Sequence, residues 1–317
     1  MRNLMILMIF TTLLLAGCNF DTTSSGGGNS AFLVGVSSLS LNGAPTRITR
    51  TGATLFVLSE PYDLVAIDVQ DPYFPWAESS TFSEGIALDT NYNITCVIDA
   101  NGLGLWQIDN DWDMEETAFV SISSATDVDI VGNYAYVSNA NLGLQVFDIT
   151  DPWFPPFEVG DNWGQLDCFR LEVAGSCVYM LHPYGMKILS STPVTGPIEM
   201  GAFTITAPLD VAVRGQYAYI AHEYGLTVVD ISDPYHPNSA ASYASFDSYN
   251  AIAIAGNYAF VCAGSDGIKL FDISDPLSPV LLDTYSTPGA AWDVVTDGVY
   301  AYVCCDGSVE TLRLDVW

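Results

Sequence analysis

Residues 207–234 read Ala-Pro-Leu-Asp-Val-Ala-Val-Arg-Gly-Gln-Tyr-Ala-Tyr-Ile-Ala-His-Glu-Tyr-Gly-Leu-Thr-Val-Val-Asp-Ile-Ser-Asp-Pro. Three short apolar runs stand out: Leu209 to Val213, Tyr217 to Ala221 and Leu226 to Ile231. Arg214-Gly215-Gln216 separates the first two, His222 to Gly225 separates the next two, and Ser232-Asp233-Pro234 closes the third. Runs of this length, rich in Val, Ile and Tyr and bounded by Gly, Asp and Pro, are β-strands. Pro after Asp cannot sit in a central strand and starts a turn.

The stretch repeats along the chain. The end of its third run returns at Asp68, Asp109, Asp148, Asp230 and Asp272, with Ser190 in one degenerate copy, at intervals of 41, 39, 42, 40 and 42 residues. Asp-Pro follows at Asp71-Pro72, Asp151-Pro152, Asp233-Pro234 and Asp275-Pro276. A turn glycine between the first and second runs recurs at Gly52, Gly132, Gly175, Gly215, Gly256 and Gly298, with Asn91-Tyr92-Asn93 in its place in the second copy. That makes seven copies. After each Asp-Pro comes one more apolar run, such as Val280-Leu281-Leu282, so each copy holds four strands. A period near 40 with four strands per unit predicts an all-β fold, a seven-bladed β-propeller. Six blades is the alternative if the first copy, Arg47 to Asp68, packs irregularly.

Val-Val-Asp-Ile-Ser-Asp-Pro (228–234), Leu-Phe-Asp-Ile-Ser-Asp-Pro (270–276) and Val-Phe-Asp-Ile-Thr-Asp-Pro (146–152), each preceded by Tyr-Ala-Tyr or a close variant, resemble the LVIVD repeat of bacterial surface proteins. The resemblance spans roughly residues 45–317; copies two, four and seven depart from the pattern. It implies a propeller fold and an extracytoplasmic location, and says little about activity.

The N-terminus reads as an export signal over residues 1–18, with Arg2 followed by an apolar core from Leu4 to Leu15 that is too short for a stop-transfer helix. Leu15-Ala16-Gly17-Cys18 resembles the bacterial lipobox, which implies acylation of Cys18; a secretory signal cut nearby is the alternative. Asn19 follows the cysteine, so the aspartate associated with inner-membrane retention is absent, which points towards an outer membrane or cell surface. Residues 19–30 form a Ser/Gly/Thr tether. The propeller occupies 31–317. The seventh copy ends at Trp317 without a fourth strand, while Ala31 to Leu41 holds spare apolar pieces. A strand from that N-terminal segment is therefore expected to close the ring and remove an exposed edge.

The formal charge is −29, with 8 Lys and Arg against 37 Asp and Glu. Such a surface repels phosphate backbones and anionic lipid, so nucleic acid is excluded and membrane contact falls to the lipid anchor. Cationic partners, neutral glycans and divalent cations remain compatible, and a monomer is expected. Besides Cys18 there are six cysteines, which read as free buried thiols; Cys168 and Cys177 flank one hairpin and form the possible disulfide.

Counting back from the turn glycine gives one equivalent inner-strand position per copy: Arg47, Ala87, Asp127, Arg170, Asp210, Ala251 and Asp293. These groups read either as a polar or ion-binding channel mouth or as bonds that stitch neighbouring blades together. The loops between second and third strands share a face with the blade-to-blade connections. They carry Tyr62, Asn101, Asn141, His182, Tyr184, His222, Glu223 and Tyr224, and the connections add Trp163, Tyr249 and Trp292. Rings with amides and carboxylates suit a sugar or peptide surface. His182, His222 and Glu223 suggest a metal site only if two blades can share one ion; otherwise they are exposed loop residues. Asp109, Asp111 and Asp113 resemble the start of a calcium loop, but Met114 stands where glycine is needed, and a solvated acidic turn is the other reading. No cofactor is expected beyond that calcium.

No Gly-x-Ser-x-Gly, His-Glu-x-x-His or phosphate loop is present. The sequence therefore points first to a lipid-anchored binding or scaffold module for a protein or glycan at the cell envelope. The alternative is a secreted polysaccharide hydrolase or lyase using carboxylates or histidines on the loop face.

Overall fold

The computed structural model describes residues 30–61, 63–160, 164, 167–191 and 197–317. The export signal, Cys18, the tether up to residue 29, Tyr62 and Trp163 lie outside the described residues. All regular structure within them is β, in 28 strands.

The chain begins with β1 (Ala31–Ser40). Blade 1 follows as β2 (Ala44–Thr51), β3 (Thr54–Glu60), β4 (Asp63–Asp68) and β5 (Trp76–Phe82). Blade 2 is β6 (Ala87–Thr90), β7 (Thr95–Ile98), β8 (Gly102–Ile108) and β9 (Met114–Ser121). Blade 3 is β10 (Ala125–Val131), β11 (Tyr134–Asn139), β12 (Gly143–Asp148) and β13 (Phe157–Glu158). Blade 4 is β14 (Arg170–Ala174), β15 (Cys177–His182), β16 (Gly185–Ser190) and β17 (Glu199–Thr204). Blade 5 is β18 (Pro208–Arg214), β19 (Tyr217–His222), β20 (Gly225–Asp230) and β21 (Asn238–Ala244). Blade 6 is β22 (Ala251–Ala255), β23 (Tyr258–Cys262), β24 (Ile268–Asp272) and β25 (Val280–Tyr285). Blade 7 is β26 (Ala291–Thr296), β27 (Tyr300–Cys305) and β28 (Ser308–Val316), and its fourth strand is β1.

There are seven four-stranded antiparallel sheets, so the six-blade alternative is excluded: Arg47 to Asp68 packs as regularly as any other copy. The closing strand is the expected one, pairing Ala31 with Val316 and Ser40 with Ser308.

Why the strands read as continuous apolar runs is visible in β19. Ala218 and Ile220 pack into a core shared with blade 4, whereas Tyr219 and Ala221 pack into one shared with blade 6. Period-two alternation therefore sends side chains to two neighbours rather than to core and solvent. Seven such cores result, one at each blade-to-blade interface. Each large aliphatic side chain fully buried there, such as Leu105 or Leu226, contributes about 1.5–3 kcal/mol.

The two faces of the disc follow from the turns. First-to-second and third-to-fourth turns lie on one, hereafter the turn face. Second-to-third turns and blade-to-blade connections lie on the other, the connection face.

Cys168 and Cys177 are free thiols, as are Cys96, Cys262, Cys304 and Cys305. The disulfide between Cys168 and Cys177 is thus not formed: Cys168 belongs to the core between blades 3 and 4 and Cys177 to the core between blades 4 and 5, on opposite sides of their sheet.

Candidate functional site

The seven inner strands surround the axis, and their ring positions share one register. Arg47, Ala87, Asp127, Arg170, Asp210, Ala251 and Asp293 pair respectively with Leu58, Ile98, Ser138, Leu181, Ala221, Cys262 and Cys304 of the second strands. In blades 1, 3, 5 and 7 a β-bulge directly precedes the ring residue and re-aims it.

An inner strand has one edge paired and one facing the channel, so alternate N–H groups lack a strand partner. The ring carboxylates meet that need across the blade boundary. Asp127 Oδ2 accepts from Leu171 N (3.0 Å), Asp210 Oδ2 from Ile252 N (2.9 Å) and Asp293 Oδ2 from Ile48 N (3.0 Å), the last across the ring closure. Arg170 lies between Asp127 (3.5 Å) and Asp210 (3.2 Å), linking blades 3, 4 and 5. Burial pulls the Arg170 guanidinium down, but Asp127, Asp210 and Asp293 outweigh it and hold the group above its ordinary value. The charge of Arg170 and burial lower Arg47. Burial drives Asp210 up to about 6 against the opposing pull of Arg170.

Two residues further along, a second tier holds Thr49, Asp89, Asp129 and Glu172. Asp89 accepts from Ile130 N (2.7 Å) and Thr49 Oγ1 (3.0 Å), and Asp129 from Val173 N (2.6 Å). Burial, then Asp89 and Glu172, push Asp129 well above the usual carboxylate range. Burial, then Asp210, Asp89 and Asp127, push Glu172 to about 8. Sequence reading missed this tier, although alternation from Asp127 to Asp129 and from Arg170 to Glu172 carries the signal.

On the connection face, the residue opening the second-to-third turn serves the turn itself in blades 2 to 5. Asp99 Oδ1 accepts from Asn101 N (2.6 Å), Asn139 Oδ1 from Asn141 N (2.9 Å), His182 Nδ1 from Tyr184 N (3.4 Å) and His222 Nδ1 from Tyr224 N (3.2 Å). His222 is buried, not an exposed loop residue: with Nδ1 accepting, Nε2 carries the proton and donates to Thr227 Oγ1 (3.1 Å). Burial lowers His222, and burial with nearby Lys187 lowers His182. Tyr249 also departs from expectation, lying fully buried against Phe271 and beneath Lys269. Asp109, Asp111 and Asp113 close a backbone turn on the opposite face: Asp109 Oδ1 accepts from both Asp111 N (2.8 Å) and Asp113 N (3.0 Å).

What these caps leave pointing outward are Asn101, Asn141, Tyr184, Glu223, Tyr224 and Trp292. Trp292 is fixed by its indole N–H to Asp306 (2.7 Å), and Asn141 by its amide to Ser124 (2.7 Å). Asn101 borders a cavity of about 340 Å³ with Glu84, Asp99 and Glu116, where burial and Asp99 raise Glu116. Tyr184 and Glu223 come together at a larger cavity of about 580 Å³ between blades 4 and 5, walled by Phe169, Ile205, Pro208 and Leu209. Ala207, on its wall, holds φ +49° although it is not glycine. Its carbonyl accepts from Glu223 N (3.2 Å), tying the connecting segment to the turn. Backbone strain of this kind persists only where surrounding structure enforces it. The result is a rigid, mostly apolar recess with one ring and one carboxylate at its mouth.

The LVIVD repeat family matches residues 123–157, 209–245, 249–287 and 288–308, which fall in blades 3, 5, 6 and 7. No curated protein matches the sequence. Among solved structures, the computationally designed Ika8 protein aligns with a TM-score of 0.65 at 14% identity, covering 90% of this chain and 100% of that one. BamB from Moraxella catarrhalis aligns at 0.59 and 10% identity, covering 89% and 97%. At these identities the likeness is one of fold alone.

Proposed function

We propose that this seven-bladed β-propeller, four of whose blades match the LVIVD repeat, is a binding or scaffold module outside the cytoplasmic membrane, held there by an acylated Cys18. Its connection face engages a protein or glycan at the cell envelope. The observation that carries this reading is the recess between blades 4 and 5, with Tyr184 and Glu223 at its mouth. Its size and lining suit a small apolar or sugar-ring element presented by a larger partner, and the carboxylate would orient it. Hydrogen-bonded turns on packed sheets hold the site in shape, which lowers the ordering cost of binding.

The test is titration of the full chain against peptide and glycan panels, read by calorimetry. Tyr184→Ala is expected to weaken the best ligand by about tenfold, as loss of an aromatic anchor does. Undiminished affinity in that variant would remove the recess from consideration. Loss of acyl labelling in Cys18→Ser checks the anchor separately.

A further inference from the structure

The Asp-Pro turns do more than end the third strands. In each complete copy the aspartate caps its own turn. Asp71 Oδ1 accepts from Tyr73 N, Asp151 from Trp153 N, Asp233 from Tyr235 N and Asp275 from Leu277 N, all at 3.0 Å. The carbonyl of the same aspartate accepts from the next residue, Phe74 N (3.0 Å) or Phe154 N (3.2 Å) for instance. This geometry pushes apolar side chains outward at one level on four blades. Phe74, Trp153, Phe154, Tyr235 and Leu277 are each more than half exposed, and so is Trp317 at the end of blade 7.

All six lie on the turn face, and so does the point where the tether joins the fold. β1 is antiparallel to β28, with Ala31 opposite Val316, and Trp317 N donates to Ser30 O at 2.9 Å. Only twelve residues, 19–30, separate Cys18 from β1. Even fully extended, twelve residues reach at most about 40 Å.

We infer that the turn face is the membrane-apposed face of the propeller, and that its aromatic turns rest in the headgroup region of the bilayer that holds the anchor. This rests on the acylation of Cys18 proposed above. Trp and Tyr suit that region because an apolar ring and a polar edge are both accommodated there, and Phe and Leu add apolar area beside them. The capping aspartates repel anionic lipid, so the contact is with zwitterionic headgroups, too weak to recruit the protein alone but sufficient to orient one already tethered. The connection face, with Tyr184 and Glu223, then points away from the membrane.

The test uses the full acylated chain in phosphatidylcholine vesicles whose acyl chains carry bromine, a short-range quencher of tryptophan fluorescence. Quenching is expected, to fall by roughly half or more in a Trp76→Phe/Trp153→Phe/Trp317→Phe triple variant, since Trp76 is also exposed on the turn face, and to persist in Trp292→Phe, a change on the opposite face. Both sets replace exposed side chains, so folding is preserved. An acylated protein left unquenched, or one whose quenching depends on Trp292, would overturn the orientation and leave the anchor standing. An intact mass lacking the acyl adduct on Cys18 would overturn the anchor, and the inference with it.

Discussion

At the residue scale, the channel shows how a strongly acidic chain uses its acids internally. Asp127, Asp210 and Asp293 replace water as acceptors for inner-edge N–H groups, and removing Asp127 or Asp210 would leave both a buried donor and the Arg170 guanidinium short of a partner. The second tier works differently, because Asp89, Asp129 and Glu172 face one another and Asp210 without a cation of their own level. Glu172, at about 8 against an ordinary 4.5, is neutral in the folded protein at pH 7 but ionised in the unfolded chain. Its contribution is therefore fully present below the unfolded value and is lost as pH rises towards 8. The slope is at most about 1.4 kcal/mol per pH unit in that window. Glu172→Gln keeps the neutral shape, so urea melts from pH 5 to 9 should show a flatter profile and a more stable variant above pH 8. Parallel profiles for the two proteins would show that Glu172 ionises freely in the fold.

At the element scale, blades 2, 4, 5 and 6 each depend on a close approach that only glycine permits. Gly225 opens β20 at φ +126°, and a Cβ there would stand 2.1 Å from the backbone oxygen of Tyr243 on β21. Gly215, in the turn between β18 and β19, also has positive φ (+60°) but open space around it. Gly215→Ala should thus cost about 1 kcal/mol from backbone conformation alone. Gly225→Ala must also displace a strand and should cost at least about 2–3 kcal/mol, a gap measurable by thermal melting. Equal losses would mean that β21 yields freely. These elements were legible in the sequence because turn chemistry is local: Gly, Asp-Pro and the apolar runs fixed strand count, blade count and ring register. The burial of His222 and Tyr249 was not legible. Whether a turn residue faces solvent depends on partners such as Thr227 or Phe271, brought in by pairing and blade packing. The recess at Tyr184 was hidden for the same reason, since its walls come from Phe169 in one blade and Pro208 and Leu209 in the next.

At the scale of the whole molecule, stability depends on closing a ring whose cores all lie between blades. A gap anywhere would leave two half-cores facing water, and the closing strand sits where the chain's two ends meet. β1 completes blade 7 and also reaches both neighbours: Leu33 N donates to Asp283 (2.8 Å) in blade 6, and Ser37 Oγ to the carbonyl of Pro72 (2.7 Å) in blade 1. Ala31 and Leu33 are buried in the core between blades 6 and 7. Deleting Ala31–Ser40 should therefore cost at least about 5 kcal/mol from lost burial and an unpaired ladder, and leave β28 as a bare edge open to another chain. Denaturant melts should register the loss, and size-exclusion chromatography should show oligomers that a peptide of residues 31–40 converts back to monomer by strand addition. A truncated chain that stays monomeric and melts with the parent would mean that the seven interfaces hold without a closing strand. In that case the N-terminal segment would serve chiefly to bring the turn face to the membrane.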